Sequence, residues 1–331
     1  MRGFADGAVD AADVMAEGCF VVDLDRPGDP LGLEVPPGFP AVVVAVGRRS
    51  APGLPERGPD VALTAHRTVN RPWVSHGDPV GAAGELVGRI RAWPGASVAL
   101  VEVLRAGIGA TTDVGLLIES LAYSTLQAGP EFARWRASRP VRARLPGSPP
   151  TVVVERVGDV VELTLNRPEV RNAYNRQMRD ELYEGLALAL ADPRLSVRLS
   201  GAGTSFCSGG DLDEFGTFPD PTRAHLVRTG RSPARLLSRL SGRLSAHVFG
   251  SCAGSGIELP AFAGRVVARA DTRMWLPELA MGLIPGAGGT VSITRRIGRG
   301  RTAWLGLSGQ AVDAATALEW GLVDEVSGEG D

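Results

Sequence analysis

A chain of 331 residues with 44% apolar residues can fill one large or two modest cores, which excludes disorder as the default. A formal charge of −2 offers no global basic field for a nucleic-acid backbone or an anionic membrane. The absence of lysine, all 35 cations being arginine, excludes a Schiff-base lysine. Three scattered cysteines, Cys19, Cys207 and Cys252, and four histidines give neither a disulfide framework nor metal-ligand spacing, and no apolar run reaches membrane-spanning length. The expectation is a cytoplasmic protein that holds no metal.

Strand-like apolar runs at Cys19–Leu24, Ala41–Val46 and Val61–Thr64 open the chain. Helical periodicity follows. It predicts a helix over Pro79 to Trp93, a second started by Pro94 and running to about Arg105, a third capped by Asp113 and reaching Gln127, and a short fourth opened by Pro130. The stretch Arg139 to Pro150 is rich in Pro and Arg and has no period, as an extended linker has; it sets boundaries at 1–140, 141–150 and 151–331. Beyond it, Thr151–Glu155 and Val160–Leu165, separated by Gly158-Asp159, predict a hairpin, and Asn172 to Ala191 has helical spacing. Leu195, Val197 and Leu199 alternate with polar residues as a half-buried strand that ends at Gly201-Ala202-Gly203. Strand, helix, strand, glycine turn is the grammar of an α/β fold.

Three glycine-rich segments carry the chemistry. Ser205 to Leu212 places Gly209 and Gly210 after a strand, where backbone N–H groups can approach a ligand closely. Gly250 to Leu259 follows the apolar run Leu244–Phe249 and leads into a helix, whose N-terminal N–H groups suit an oxyanion. Leu276 to Thr290 supplies Pro277-Glu278 and then Gly282, Gly286, Gly288 and Gly289.

In this order, together with Leu165-Asn166-Arg167-Pro168, Asn172-Ala173 and the terminal Ala317 to Val323, the segments resemble the crotonase, or enoyl-CoA hydratase/isomerase, superfamily over about Thr151 to Val326. The resemblance implies a crotonase-like ββα superhelix and an acyl-CoA substrate, with coenzyme A entering as part of that substrate and no other cofactor. It implies an oxyanion hole from the N–H groups of Gly210 and Ser255, which grips the thioester carbonyl and stabilises an enolate. Glu258 and Glu278 fall where hydratases of the superfamily carry their catalytic carboxylates, which implies syn hydration of a 2-enoyl-CoA; Phe206, Ser208, Gly209, Asp211, Leu212, Gly254 and Gly286 fall where relatives contact substrate. Isomerisation, decarboxylation, thioester hydrolysis, cofactor-free oxidation and a non-catalytic CoA-binding role are the alternatives. Family practice implies a homo-oligomer, a trimer or hexamer.

The stretch Asp213 to Ser232 corresponds to the segment that walls the acyl pocket in relatives, and Phe215, Phe218, His225 and Leu226 are its candidates for contact; Cys207 and Cys252 read as small buried fillers. Three departures stand out: Gly264 replaces a usual aspartate, Arg243 a usual proline, and Pro260 lies where it would disturb the helix carrying Glu258. The family pattern continues past the Gly-Leu-Val motif with helices that cover the site, whereas this chain ends at Asp331. Residues 79–140 resemble that terminal module. The earlier strands echo the family too, Val22 to Pro27 resembling Leu163 to Pro168 and Asp60 to Ala65 resembling the strand after the catalytic helix, without a glycine turn or a glutamate helix between those two segments. The expectation is a degenerate crotonase-like first region that supplies the covering helices.

Overall fold

The computed structural model describes residues 18–25, 33–47, 53–67, 70–140, 150–218 and 220–328. The linker expected at 141–150 lies outside them except for Pro150, as do Arg26 and Pro27.

Parallel strands buried on both faces are near-continuous apolar runs, and the first region follows that rule. Strands β1 (Cys19–Asp23), β2 (Val42–Gly47), β3 (Val61–Thr64) and β4 (Trp73–Ser75) form one parallel sheet in sequence order, with Val44 opposite Val61. The three-residue β4 carries too short a pattern to be read from sequence. Helices α1 (Pro79–Ala92), α2 (Pro94–Ala106), α3 (Thr112–Gln127) and α4 (Pro130–Ala137) come next, three of them opened by proline at a position that needs no N–H donor. The cap of α3 is Thr111, which accepts from Val114 N, rather than Asp113; Asp113 lies inside the first turn and pairs with Arg235 at 2.8 Å.

The second region holds the hairpin β5 (Val152–Val157) and β6 (Val160–Leu165), helix α5 (Arg176–Ala191), and strand β7 (Ser196–Gly201). Helices α6 (Pro221–Gly230) and α7 (Pro233–Leu240) lead to β8 (Leu244–Val248), β9 (Ser251–Ala253) and the single turn α8 (Ser255–Glu258). Strands β10 (Arg265–Arg269) and β11 (Arg273–Trp275) follow, then α9 (Gly289–Ile297), α10 (Arg299–Ser308), β12 (Val312–Asp313), α11 (Ala314–Trp320) and β13 (Glu325–Ser327). A six-stranded sheet runs in the order β13-β10-β8-β7-β6-β5, parallel except for the β5–β6 hairpin, and a small sheet runs β12-β11-β9. This is a mixed α/β architecture with an added helical module from the first region. No helix is long and apolar enough to cross a membrane among the described residues.

Asn172 does not begin α5, as its spacing suggested. It sits fully buried in the left-handed region at φ 54°, and Asn175 caps the helix by accepting from Met178 N at 2.8 Å. The Asn172 amide donates to the carbonyls of Ala202, Ser205 and Phe206 at 2.8–3.1 Å, tying this loop to the glycine turn. The departures at Gly264 and Arg243 have local reasons. A Cβ at Gly264 would lie 2.4 Å from Ser241 O, while Arg243 Nη1 donates to the carbonyls of Ala189, Asp192 and Leu195 where α5 ends.

The two regions share one apolar core, and close-packed cores transmit position as well as stability. Helix α2 meets α10 where Leu100 fills the space above Gly306, and α3 meets α9 where Gly115 faces Val291; an added Cβ would come within 2.6 and 2.7 Å of those side chains. Asp60, fully buried, joins the regions through charge as well. It accepts from Arg105 Nε at 2.9 Å, from Arg105 Nη2, from Arg299 Nη1 at 2.6 Å and from Val43 N at 2.8 Å.

Candidate active site

The turn Phe206 to Asp211 is stitched on both sides. Ser208 N donates to Arg171 O and Tyr174 N to Gly209 O on one side; Phe206 N donates to Phe249 O and Ala253 N to Cys207 O on the other. Arg167 pairs with Asp211 at 3.0 Å and fixes the end of the turn. These bonds bring Gly210 beside the start of α8. Gly209 at φ 97° and Gly254 at φ 48° take backbone angles that side chains resist, whereas Ser255 is helical, so its serine is harmless to its N–H. Neither the Gly210 nor the Ser255 N–H has an acceptor among the described residues. Both line a cavity of about 390 Å³.

Glu258 and Glu278 line the same cavity. Their Oε1 atoms converge on Gly254, where an added Cβ would lie 2.3 Å from Glu278 Oε1 and 3.7 Å from Glu258 Oε1. The irregularity expected at Pro260 is present: α8 is one turn long, and Pro260 opens a separate 3₁₀ turn to Phe262. The aim of Glu258 is therefore set from outside its helix. Its Oε2 accepts from Ala287 N at 2.7 Å and Gly289 N at 2.9 Å, and its carbonyl accepts from Ser292 Oγ at 2.6 Å.

Burial dominates the electrostatics of the site. It pushes the Glu278 carboxyl up to about 8, and Glu278 Oε2 is buried without a hydrogen-bond partner among the described residues. Burial first, then the neighbouring Glu278 and Glu119, hold Glu258 well above the usual carboxylate range; the Ala287 and Gly289 N–H groups act in the opposite sense. A third carboxylate, Glu119 of α3, lines the cavity and is pushed up by burial to about 7.

The walls divide the sequence candidates. Phe215, Phe218 and Gly286 line the cavity; Leu226 is 62% exposed and His225 bonds to Ser120 Oγ at 3.0 Å, so neither reaches the lining. Phe206 is packed into the core at 1% exposure, Leu212 packs against that core, and Ser208, Gly209, Asp211 and Gly254 shape the backbone behind the wall rather than the wall itself. Cys207 and Cys252 are buried, and burial raises both thiols, Cys207 to about 11, as inert fillers require. Sequence reasoning missed Glu119, Tyr123 and Arg228 as wall residues. The available signal was an acid on the buried stripe of α3, among Gly115, Leu116, Ser120 and Tyr123.

The model of the family described as enoyl-CoA hydratase/isomerase matches residues 155–331. The 2,3-dehydroadipyl-CoA hydratase of Escherichia coli K12 is 35% identical over 176 residues, which are 53% of this chain and 68% of that protein. The 1,2-epoxyphenylacetyl-CoA isomerase of the same organism is 35% identical over 172 residues, 50% of this chain and 66% of that one. The crystal structure of an enoyl-CoA hydratase from Thermoplasma volcanium superposes with a TM-score of 0.50 at 33% identity, over 54% of this chain and 72% of its own. The matches thus reach about half of this chain and about two thirds of the relatives. The family model spans the glycine turn, the Gly210 and Ser255 N–H groups and both cavity glutamates, and with it the chain belongs to the enoyl-CoA hydratase/isomerase, or crotonase, family.

Proposed function

We propose that the protein hydrates, and in reverse dehydrates, a 2-enoyl-CoA thioester. The observation that carries this reading is the convergence of two buried carboxylates on Gly254, beside two unused N–H donors in one cavity. The thioester oxygen accepts from Gly210 N and Ser255 N, so the negative charge of an enolate forms against donors already in place; losing one such donor costs about 3–4 kcal/mol of barrier.

Glu258 and Glu278 then divide the proton transfers. Burial raises both carboxyls, but two backbone donors on Glu258 Oε2, against none among the described residues on Glu278 Oε2, favour Glu258 as the member of the pair that carries the charge, and it takes a proton from water as the water oxygen bonds to Cβ. The π electrons of the Cα–Cβ bond move into the enolate. Glu278, protonated through most of the neutral range, gives its proton to Cα as the carbonyl reforms. One water is added, and the pair ends with the proton exchanged between its members. Phe215 and Phe218 supply apolar wall for the acyl group.

A panel of crotonyl-CoA, a 3-enoyl-CoA and a malonyl-type thioester tests the reading. Hydration of the first, with neither isomerisation of the second nor decarboxylation of the third at comparable rate, is the expected result. A preference for either of the others moves the assignment to another reaction of the family.

A further inference from the structure

The segment Ala287 to Thr290 is held by two carboxylates, one from each region of the chain. Ala287 N and Gly289 N donate to Glu258; the alternate donors Gly288 N and Thr290 N donate to Glu119 at 2.7 and 2.9 Å, and Thr290 Oγ1 donates to Glu119 Oε2 at 2.7 Å. Glu119 is buried at 2% exposure on α3, which belongs to the first region of the chain. The segment has no slack: a Cβ at Gly289 would lie 2.7 Å from Glu258 Cγ, and one at Gly288, where φ is 107°, would lie 2.6 Å from Phe262. Any shift of the donors to Glu119 therefore moves the donors to Glu258.

We infer that Glu119 is a positioning residue for the reaction, supplied by the N-terminal helices, which fixes the aim of Glu258 and the charge state of the catalytic pair. The inference rests on the reading that Glu258 and Glu278 react. Three buried carboxylates in one cavity wall do not all ionise together. Glu119 is the best provided for a charge, with three donors on its own oxygens and the Arg228 guanidinium of α6 acting on it in the same direction. The other titratable groups facing this cluster are Tyr123, one turn along α3, Tyr174 and Cys207 on the side of Glu258, and Glu258 and Glu278 themselves. Arg228 bonds to Ser120 and Ser124 and lies over the Tyr123 ring at 4.6 Å. A charge on Glu119 raises both Glu258 and Glu278, which keeps a proton on the pair for delivery to Cα.

The test uses the full chain and crotonyl-CoA, with kcat and KM measured across pH for wild type, Glu119→Gln, Glu119→Asp, Thr290→Val and Glu258→Gln, and a thermal melt of each. Removing the Glu119 charge makes the pair easier to ionise, so in Glu119→Gln both limbs of the kcat profile move to lower pH, by about half a unit or more. Plateau kcat falls about tenfold or more while KM changes by less than about threefold, the signature of an effect confined to the transition state. Glu119→Asp keeps the charge and restores the wild-type limbs at reduced kcat. Thr290→Val withdraws a donor from Glu119, weakens its charge and shifts the limbs in the same direction; it carries the test if Glu119→Gln does not fold. A folded Glu119→Gln or Thr290→Val enzyme whose limbs superpose on wild type, with Glu258→Gln inactive, overturns the inference alone. Wild-type turnover by Glu258→Gln overturns the reading beneath it.

Discussion

Replacing Asp60 by alanine is expected to destabilise the whole molecule rather than its first region alone. Asp60 is fully buried and takes four donors: two from Arg105, one from Arg299 and one from Val43 N. Its two arginines are themselves nearly sequestered, with side-chain exposures of 2% and 9%. Their remaining bonds go to neutral carbonyls, Phe39 and Ala41 for Arg105 and Glu56, Gly58 and Pro59 for Arg299, so among the described residues no second carboxylate is hydrogen-bonded to either. Truncating one partner of a buried ion pair costs about 3–5 kcal/mol because the other charge stays buried and unpaired. For a chain of 331 residues, with an unfolding entropy of about 2.1 cal/mol/K per residue, that is a drop in apparent Tm of about 4–7 °C. Differential scanning calorimetry provides the assay, with Asp192→Ala, which removes an exposed pair with Arg194, as a control expected to show no resolvable change. Replacing all three charges together, as Asp60→Leu with Arg105→Met and Arg299→Met, is expected to recover most of the loss. A melting temperature for Asp60→Ala within about 1 °C of wild type would refute the claim that this triad clamps the regions together.

Two further outcomes follow from the buried carboxylates and from the shared core. The folded state raises Glu278 from 4.5 to about 8, so the stability that its protonated form contributes is complete below about 4.5 and lost as pH rises through about 8; apparent Tm should decline across that window, and Glu278→Gln should flatten the decline in part, Glu119 and Glu258 supplying the rest. A fragment beginning at Thr151 would uncover the surfaces of Gly306 and Val291 that meet Leu100 and Gly115, and is expected to aggregate or to lack activity in a light-scattering and turnover assay. A soluble fragment with full turnover would make the first region an independent unit instead.

The sequence and the structure agree most closely where periodicity is long and the competing local signals are weak. Helices α1 to α4 and strands β1 to β3 lie within a residue or two of their expected spans, because each is an unbroken run at one period bounded by proline, glycine or threonine. Asn172 was legible as part of a motif and illegible as a structure. Its spacing to Met178 and Leu182 reads as helix, yet its side chain bonds to Ala202, Ser205 and Phe206, and three buried acceptors outweigh propensity. The site divides the same way. Gly210, Ser255, Glu258 and Glu278 follow from ordered motifs within about 80 residues of one another, and the structure gathers them on one cavity. Glu119 lies 169 residues from Gly288, so nothing local in the chain announces that its partners are the N–H groups beside Glu258.

The most direct test of the account is the turnover of crotonyl-CoA by Glu258→Gln, followed as loss of the conjugated enoyl thioester and paired with calorimetric binding of a non-reactive acyl-CoA. The substitution keeps the size of the side chain and removes its charge, so the reading predicts a kcat lower by about two to four orders of magnitude with a Kd within about threefold of wild type. Turnover equal to wild type would contradict it, because no other group in the cavity is held by Ala287 and Gly289 where a water could give up its proton.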